Sequence, residues 1–280
     1  MKEIVEQYLR DYDKARGLAE NTIANRRSTL LRFLQWCADS DLDWRVITHD
    51  QLVDWIHNMP IRGQSKQKLL HRLRSFYQWA VINGKAKANP AQTYYKPKRS
   101  DPRAMRKSLT EDEVEKILDV APRMEDTDFF IAMYSLACPV RLDELVRLRV
   151  KDIDVAKGTI YFWGTKTTKP RWQVIPRRVV PVVERLIRRK RPDDQVLGFT
   201  LRTANRRVAA ILETAGIDAG GRNSHAFRHT VIERMIFRDR KDVNAVAEVA
   251  GNSPATIQRI YLNSVPERVL IDTMRDAERF

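Results

Sequence analysis

The sequence predicts a mainly α-helical chain with one small β-hairpin, built as a helical bundle followed by an α+β domain. Three observations carry that reading. Apolar residues recur at helical spacing through most of the chain. One stretch alone, Thr159 to Ile175, is β-branched, aromatic and alternating. A polar, Pro-interrupted stretch from Tyr94 to Lys107 has no apolar period and separates two helical regions.

The elements follow in order. Ile4, Val5, Tyr8 and Leu9 share one helix face. A second helix over about 20–38 carries Ile23, Leu30, Leu31, Phe33 and Leu34 inside. Thr48 with Gln51 forms a capping box that opens a helix to about Asn58. A fourth helix over about 64–83 stops at Gly84. These helices form a predicted domain over residues 1–95, and residues 96–107 read as a basic linker. A second capping box, Thr110 with Glu113, starts a domain over 108–280. Its hairpin pairs Thr159–Trp163 with Arg171–Ile175 around a turn from Gly164 to Pro170. An Arg141-led helix precedes it, and helices over 178–190, 201–215, 226–237, 242–250, 254–262 and 266–278 follow.

Composition narrows the class. The chain has 280 residues, a net charge of +15 and a 43% hydrophobic fraction, so a packed core is possible and a polyanionic partner is expected. No apolar run is long enough to cross a membrane, and the first residues lack a secretory pattern. Cys37 and Cys138 are too few for a disulfide framework or a zinc site, which predicts a reduced, cytoplasmic, nucleoid-associated protein. Between Trp55 and Ser100 there is no Asp or Glu. Arg62, Lys66, Lys68, Arg72, Arg74, Lys96, Lys98 and Arg99 in that stretch are expected to touch phosphates of double-stranded DNA. Lys169 and Arg171, in a second basic run after Gly164, are expected to do the same.

Motifs for nucleotide-driven or two-metal chemistry are missing, so no cofactor and no metal are predicted. Other residues can handle a phosphate. His225 and Arg228 stand three apart on one helix face. An arginine fork grips phosphate through two hydrogen bonds, and an imidazole exchanges a proton near neutral pH. Arg141 opens a helix after the Cys138-Pro139 turn. Lys166 and Lys169 lie in the hairpin turn, and Gly251-Asn252 precedes Tyr261 by nine residues.

In that order, the chain resembles the tyrosine recombinases, or phage integrase family. Their constellation runs Arg, hairpin Lys, HxxR, Gly-His or Gly-Trp, then Tyr. The first half is similar to that family's helical core-binding domain, so the resemblance spans nearly the whole chain, in the simple Xer-like two-domain form. It implies a catalytic set of Arg141, Lys166, His225, Arg228, Asn252 and the nucleophile Tyr261. It also implies a 3′-phosphotyrosine intermediate formed without metal or ATP, and a homotetramer on two sites joined through the C-terminal helix. Lys166 is preferred over Lys169 because Thr-Lys-Thr just after the first strand resembles the phage-integrase turn. Asn252 stands where the family has His or Trp. It either donates to the phosphate or caps the helix at Ser253-Pro254. Glu144 either orients Arg141 or is a surface carboxylate, and His229 reads as a packing or supporting histidine. Two rival readings remain at this level: a DNA-binding relative with weakened catalysis, and a type IB topoisomerase.

Overall fold

The computed structural model describes residues 2–61, 63–92, 108–164, 169–218 and 223–262. Arg62, Lys96, Lys98, Arg99, Lys166, the expected linker and the expected helix over 266–278 lie outside the described residues. The chain divides into two compact units, Met1–Arg99 and Ser100–Phe280.

The first unit is helical. Helix α1 (Lys2–Tyr8) runs on into a π-helical turn, Leu9–Lys14. Helices α2 (Glu20–Asp39), α3 (His49–His57) and α4 (Gly63–Ile82) follow. The Thr48–Gln51 capping box forms as expected. Helix α2 buries Ile23, Leu30, Phe33, Leu34 and Cys37, the spacing of one apolar face. That face meets an aromatic core in which Phe33 stands edge-on to Trp55 at 5.1 Å between centroids and to Tyr77 at 6.0 Å.

The second unit packs helices around a small antiparallel sheet. Helices α5 (Glu111–Val120), α6 (Asp126–Ala137) and α7 (Leu142–Arg147) lead into strands β1 (Ile153–Asp154), β2 (Thr159–Phe162) and β3 (Arg171–Val174). Helices α8 (Val180–Ile187), α9 (Leu201–Thr214), α10 (Ser224–Glu233), α11 (Val243–Ala250) and α12 (Pro254–Tyr261) complete the described part. The mainly helical fold with a small sheet is therefore observed. Strand β1 was not expected, because two residues carry no readable alternation.

The hairpin register opposes Ile160 to Gln173 and Phe162 to Arg171. Ile160 and Phe162 are buried, and so are their partners Arg171 and Gln173. Trp172 and Val174, the apolar residues of β3, face solvent. Hydrophobic alternation alone assigns β3 the opposite face. The reason for the inversion lies in the site described next.

Candidate active site

Helix α11 ends at Gly251 with φ of 63°, in the left-handed region that favours glycine. A Cβ there would stand 2.8 Å from Arg171 Nη1, so glycine is required twice over. Gly251 N–H donates to the Glu248 carbonyl and Asn252 N–H to that of Ala247, the paired bonds of a Schellman ending.

The last carbonyls of a helix have no partner of their own. Here side chains supply them. Arg171 Nε donates to the Val249 carbonyl at 2.9 Å, Gln173 Nε2 to the same oxygen at 2.8 Å, and Arg228 Nη2 to the Ala250 carbonyl at 2.6 Å. Positive groups at this end also complement the helix dipole. This explains the inward face of β3: its two polar side chains hold α11 by its C-terminus.

Arg171 thus corrects an expectation. It is 5% exposed and cannot serve a DNA surface. Its guanidinium forms a two-armed pair with Glu144, Nη1 to Oε1 at 3.0 Å and Nη2 to Oε2 at 2.8 Å. Glu144 is no surface carboxylate either. Burial raises its carboxyl, and the Arg171 hydrogen bonds and charge more than reverse this, holding it below the ordinary value. Its Oε2 also accepts from the Arg141 backbone N–H at 2.8 Å, which fixes the start of α7.

Arg141 Nη2 donates to Asn252 Oδ1 at 2.8 Å. Nη1 lies 3.9 Å from Glu144 Oε1, beyond hydrogen-bond reach, and is buried with no hydrogen-bond partner among the described residues. Asn252 is not the cap of the next helix. Ser253 is, its side chain accepting from Thr256 N–H.

Helix α10 begins at the N-cap Asn223 and carries His225, Arg228 and His229 on one face, at i, i+3 and i+4. Arg228 is buried. Nη1 donates to the Pro139 carbonyl, and burial followed by the nearby Arg141 cation pushes its guanidinium down to about 10, still charged at neutral pH. His225 sits at the rim, exposed by area but crowded on its inner side. That desolvation, then Arg228 and Arg141, lowers its pKa against the pull of Asp143, which favours the neutral ring.

Tyr261 ends α12 and is 2% exposed, packed with Ile232, Val246 and Ile257. Its phenol oxygen lies 2.6 Å from His229 Nδ1. Spacing did not reveal this contact, because the two residues are 32 apart in sequence. Tyr134 by contrast is a packing residue: its hydroxyl donates to Gln173 Oε1 at 3.2 Å and burial drives its phenol pKa well up. Cys138 is a buried thiol raised to about 11 by burial, unsuited to act as a thiolate. Lys169 is exposed, 3.8 Å from Glu248. Among the described residues, no three His, Cys, Asp or Glu side chains gather as a metal site.

Among the expected DNA contacts of the first unit, Lys68 and Arg74 are exposed. Lys66 is half-buried and donates to the His57 carbonyl at 2.7 Å. Arg72 is half-buried, donates to Thr29 Oγ1 at 2.7 Å, and has its pKa lowered by burial and by Arg26 and Arg32. Lys68 and Arg72 share one face of α4, whereas Arg74 points from another.

Two family descriptions match the chain. The phage integrase family matches residues 107–268, and the phage integrase N-terminal SAM-like domain matches residues 5–84. Tyrosine recombinase XerD of Proteus mirabilis is 26% identical over 289 residues, covering 96% of this chain and 90% of that one. Tyrosine recombinase XerC of Escherichia coli O127:H6 is 27% identical over 278 residues, covering 92% and 90%. The structure of the Tn1549 transposon integrase, solved with a circular intermediate DNA, is similar in fold, with a TM-score of 0.72 at 14% identity and 98% coverage of both chains. The match spans the units that hold the bundle and the Arg141–Tyr261 cluster, and the chain belongs to the phage integrase family of tyrosine recombinases.

Proposed function

We propose that the chain is a site-specific recombinase that cleaves and rejoins double-stranded DNA through a 3′-phosphotyrosine intermediate, working in the cytoplasm beside the nucleoid. The observation that supports it best is Arg141 Nη1, a buried cationic donor without a hydrogen-bond partner among the described residues, beside a neutral-leaning His225 and a buried Arg228. An unsatisfied buried donor costs on the order of 1–3 kcal/mol. A phosphate oxygen satisfies it.

In this reading Tyr261 attacks phosphorus. Phenols ordinarily titrate near ~10, so the proton must leave during attack. Arg141 and the Asn252 amide nitrogen bond the non-bridging oxygens, and Arg228 supplies fixed positive charge. His225 donates to the same group. Lys166, by resemblance to the family's hairpin lysine, protonates the leaving 5′ oxygen. The phosphodiester's reactivity is kept in the protein–DNA bond, so rejoining reverses the step. The segment after Ser264 docks on a neighbouring protomer, giving four protomers on two sites.

The test is a duplex carrying a nick beside the scissile bond, which traps the covalent adduct on a denaturing gel, together with a two-site plasmid assay. An adduct plus site-dependent recombination supports the reading. Relaxation of plasmids without a special site points to a topoisomerase, and absence of any adduct points to a DNA-binding relative.

Asn252→Ala is expected to slow single-turnover cleavage about 10-fold, because it removes a hydrogen bond to charged Arg141 of about 1.5 kcal/mol or more. Affinity for DNA should hold. An unchanged rate would remove Asn252 from the phosphate cradle.

Binding is expected to weaken steeply with salt. Lys68→Ala with Arg72→Gln should flatten the log–log salt slope by up to ~2, since each lost phosphate contact removes ~0.9. A slope that responds to Arg74→Ala instead would assign DNA to the other face of α4.

A further inference from the structure

We propose that His229 is the proton acceptor for the Tyr261 nucleophile. The inference rests on the recombinase reading and adds a residue to its reaction.

Attack by a neutral phenol generates a proton at the phenol oxygen, which must go to a base within reach. Among the described residues His229 is such a group, with Nδ1 2.6 Å from Tyr261 Oη and ring centroids 5.6 Å apart. That distance is short for a neutral hydrogen bond and suits transfer. His225 is placed differently. Its ring centroid lies 6.5 Å from that of His229, and it feels the Arg141 and Arg228 cations.

The backbone makes the division of labour. On α10, His225, Arg228 and His229 occupy i, i+3 and i+4, so the phosphate-binding His225, the fixed charge of Arg228 and the base share one helix. Helix α12 brings Tyr261 into the small core of Ile232, Val246 and Ile257. The nucleophile therefore stands against the base before any DNA arrives.

The step balances. The bond from Tyr261 Oη to phosphorus forms, the bond from phosphorus to the 5′ oxygen breaks, the phenolic proton passes to His229 Nδ1, and the 5′ oxygen receives a proton from the hairpin lysine. In rejoining, the imidazolium returns its proton to the departing phenol oxygen. His229 thus serves as base in one direction and acid in the other.

The experiment compares two nucleophiles. Wild-type protein and His229→Gln, which keeps a hydrogen-bonding group but cannot exchange a proton, are assayed in single turnover on nicked duplex. Each is also made with 3,5-difluorotyrosine at position 261, whose phenol is more acidic and needs less help. With tyrosine, His229→Gln should be slower by ~10²-fold or more. With difluorotyrosine the deficit should shrink to below ~10-fold, and DNA affinity should not change. His229→Ala with added imidazole is the second variant, chosen should the glutamine fail to melt like wild type, and imidazole should restore part of its rate. Equal slowing with both nucleophiles, no slowing at all, or faster cleavage by the variant would each overturn the proposal. Failure of the wild-type protein to form any adduct would instead overturn the recombinase reading itself.

Discussion

Replacing Tyr261 by phenylalanine is expected to abolish the covalent protein–DNA adduct while leaving DNA affinity unchanged. The substitution removes one oxygen. The ring remains packed with Ile232, Val246, Ala247 and Ile257, so the fold should melt close to wild type. What goes is the phenol oxygen, the attacking atom of the proposed reaction, and its contact to His229. Among the described residues, neither Tyr134 nor Cys138 can replace it. Tyr134 is held at Gln173 with its phenol pKa driven up, and Cys138 is a buried thiol. The adduct should therefore fall below detection on a denaturing gel, not merely form slowly. A Tyr261→Phe protein that still traps DNA covalently would show that another residue is the nucleophile.

The second large effect concerns stability. Arg171→Ala takes from buried Glu144 its two-armed partner, leaving it the Arg141 backbone N–H and the Arg141 cation 3.9 Å away, and strips a donor from the Val249 carbonyl. Removing one member of a buried pair costs about 3–5 kcal/mol. Chemical denaturation should show that loss. The pair also predicts a pH signature. Glu144 titrates below its ordinary value in the folded protein, so the unfolded chain binds the proton more readily. Its stabilisation is present above the unfolded value and is lost as pH falls through the depressed folded one. A double variant, Glu144→Leu with Arg171→Met, should regain much of the stability, since well-packed apolar residues often replace such pairs at little cost. It should lose that acid sensitivity. Cleavage should stay impaired, because the start of α7 no longer has a carboxylate to accept the Arg141 backbone N–H. Full activity in the double variant would reduce the pair to a purely structural role.

What was legible in the sequence was local. The capping boxes at Thr48 and Thr110 formed as read, because a cap is a relation among four consecutive residues. The HxxR face of α10 followed from helical geometry, and the hairpin from β-branched residues around a turn. What was not legible was pairing at a distance. Glu144 and Arg171 are 27 residues apart and meet only once the hairpin lies against α7. Charge and neighbourhood alone therefore point Arg171 at DNA. A signal existed: Arg and Gln alternate in β3 opposite Ile160 and Phe162, and polar residues across from a buried face are there to bond something. The link between Tyr261 and His229 had no such trace. It arises where three helices converge, and only the order of the motifs pointed to that corner.

The reversed face of β3 has an optical consequence. Trp163 and Trp172, flanking the hairpin turn, are 65% and 62% exposed, while Trp55 and Trp79 are buried and Trp36 and Trp44 half-buried in the other unit. Those six are all the tryptophans of the chain. Water-facing indoles emit at longer wavelength and are reached by a soluble quencher such as acrylamide, whereas enclosed ones are largely shielded. The chain thus carries its own spectrally separable reporter at the facing ends of the two hairpin strands. Quenching at the red edge of the emission band follows the hairpin without any label, and the blue edge follows the N-terminal bundle.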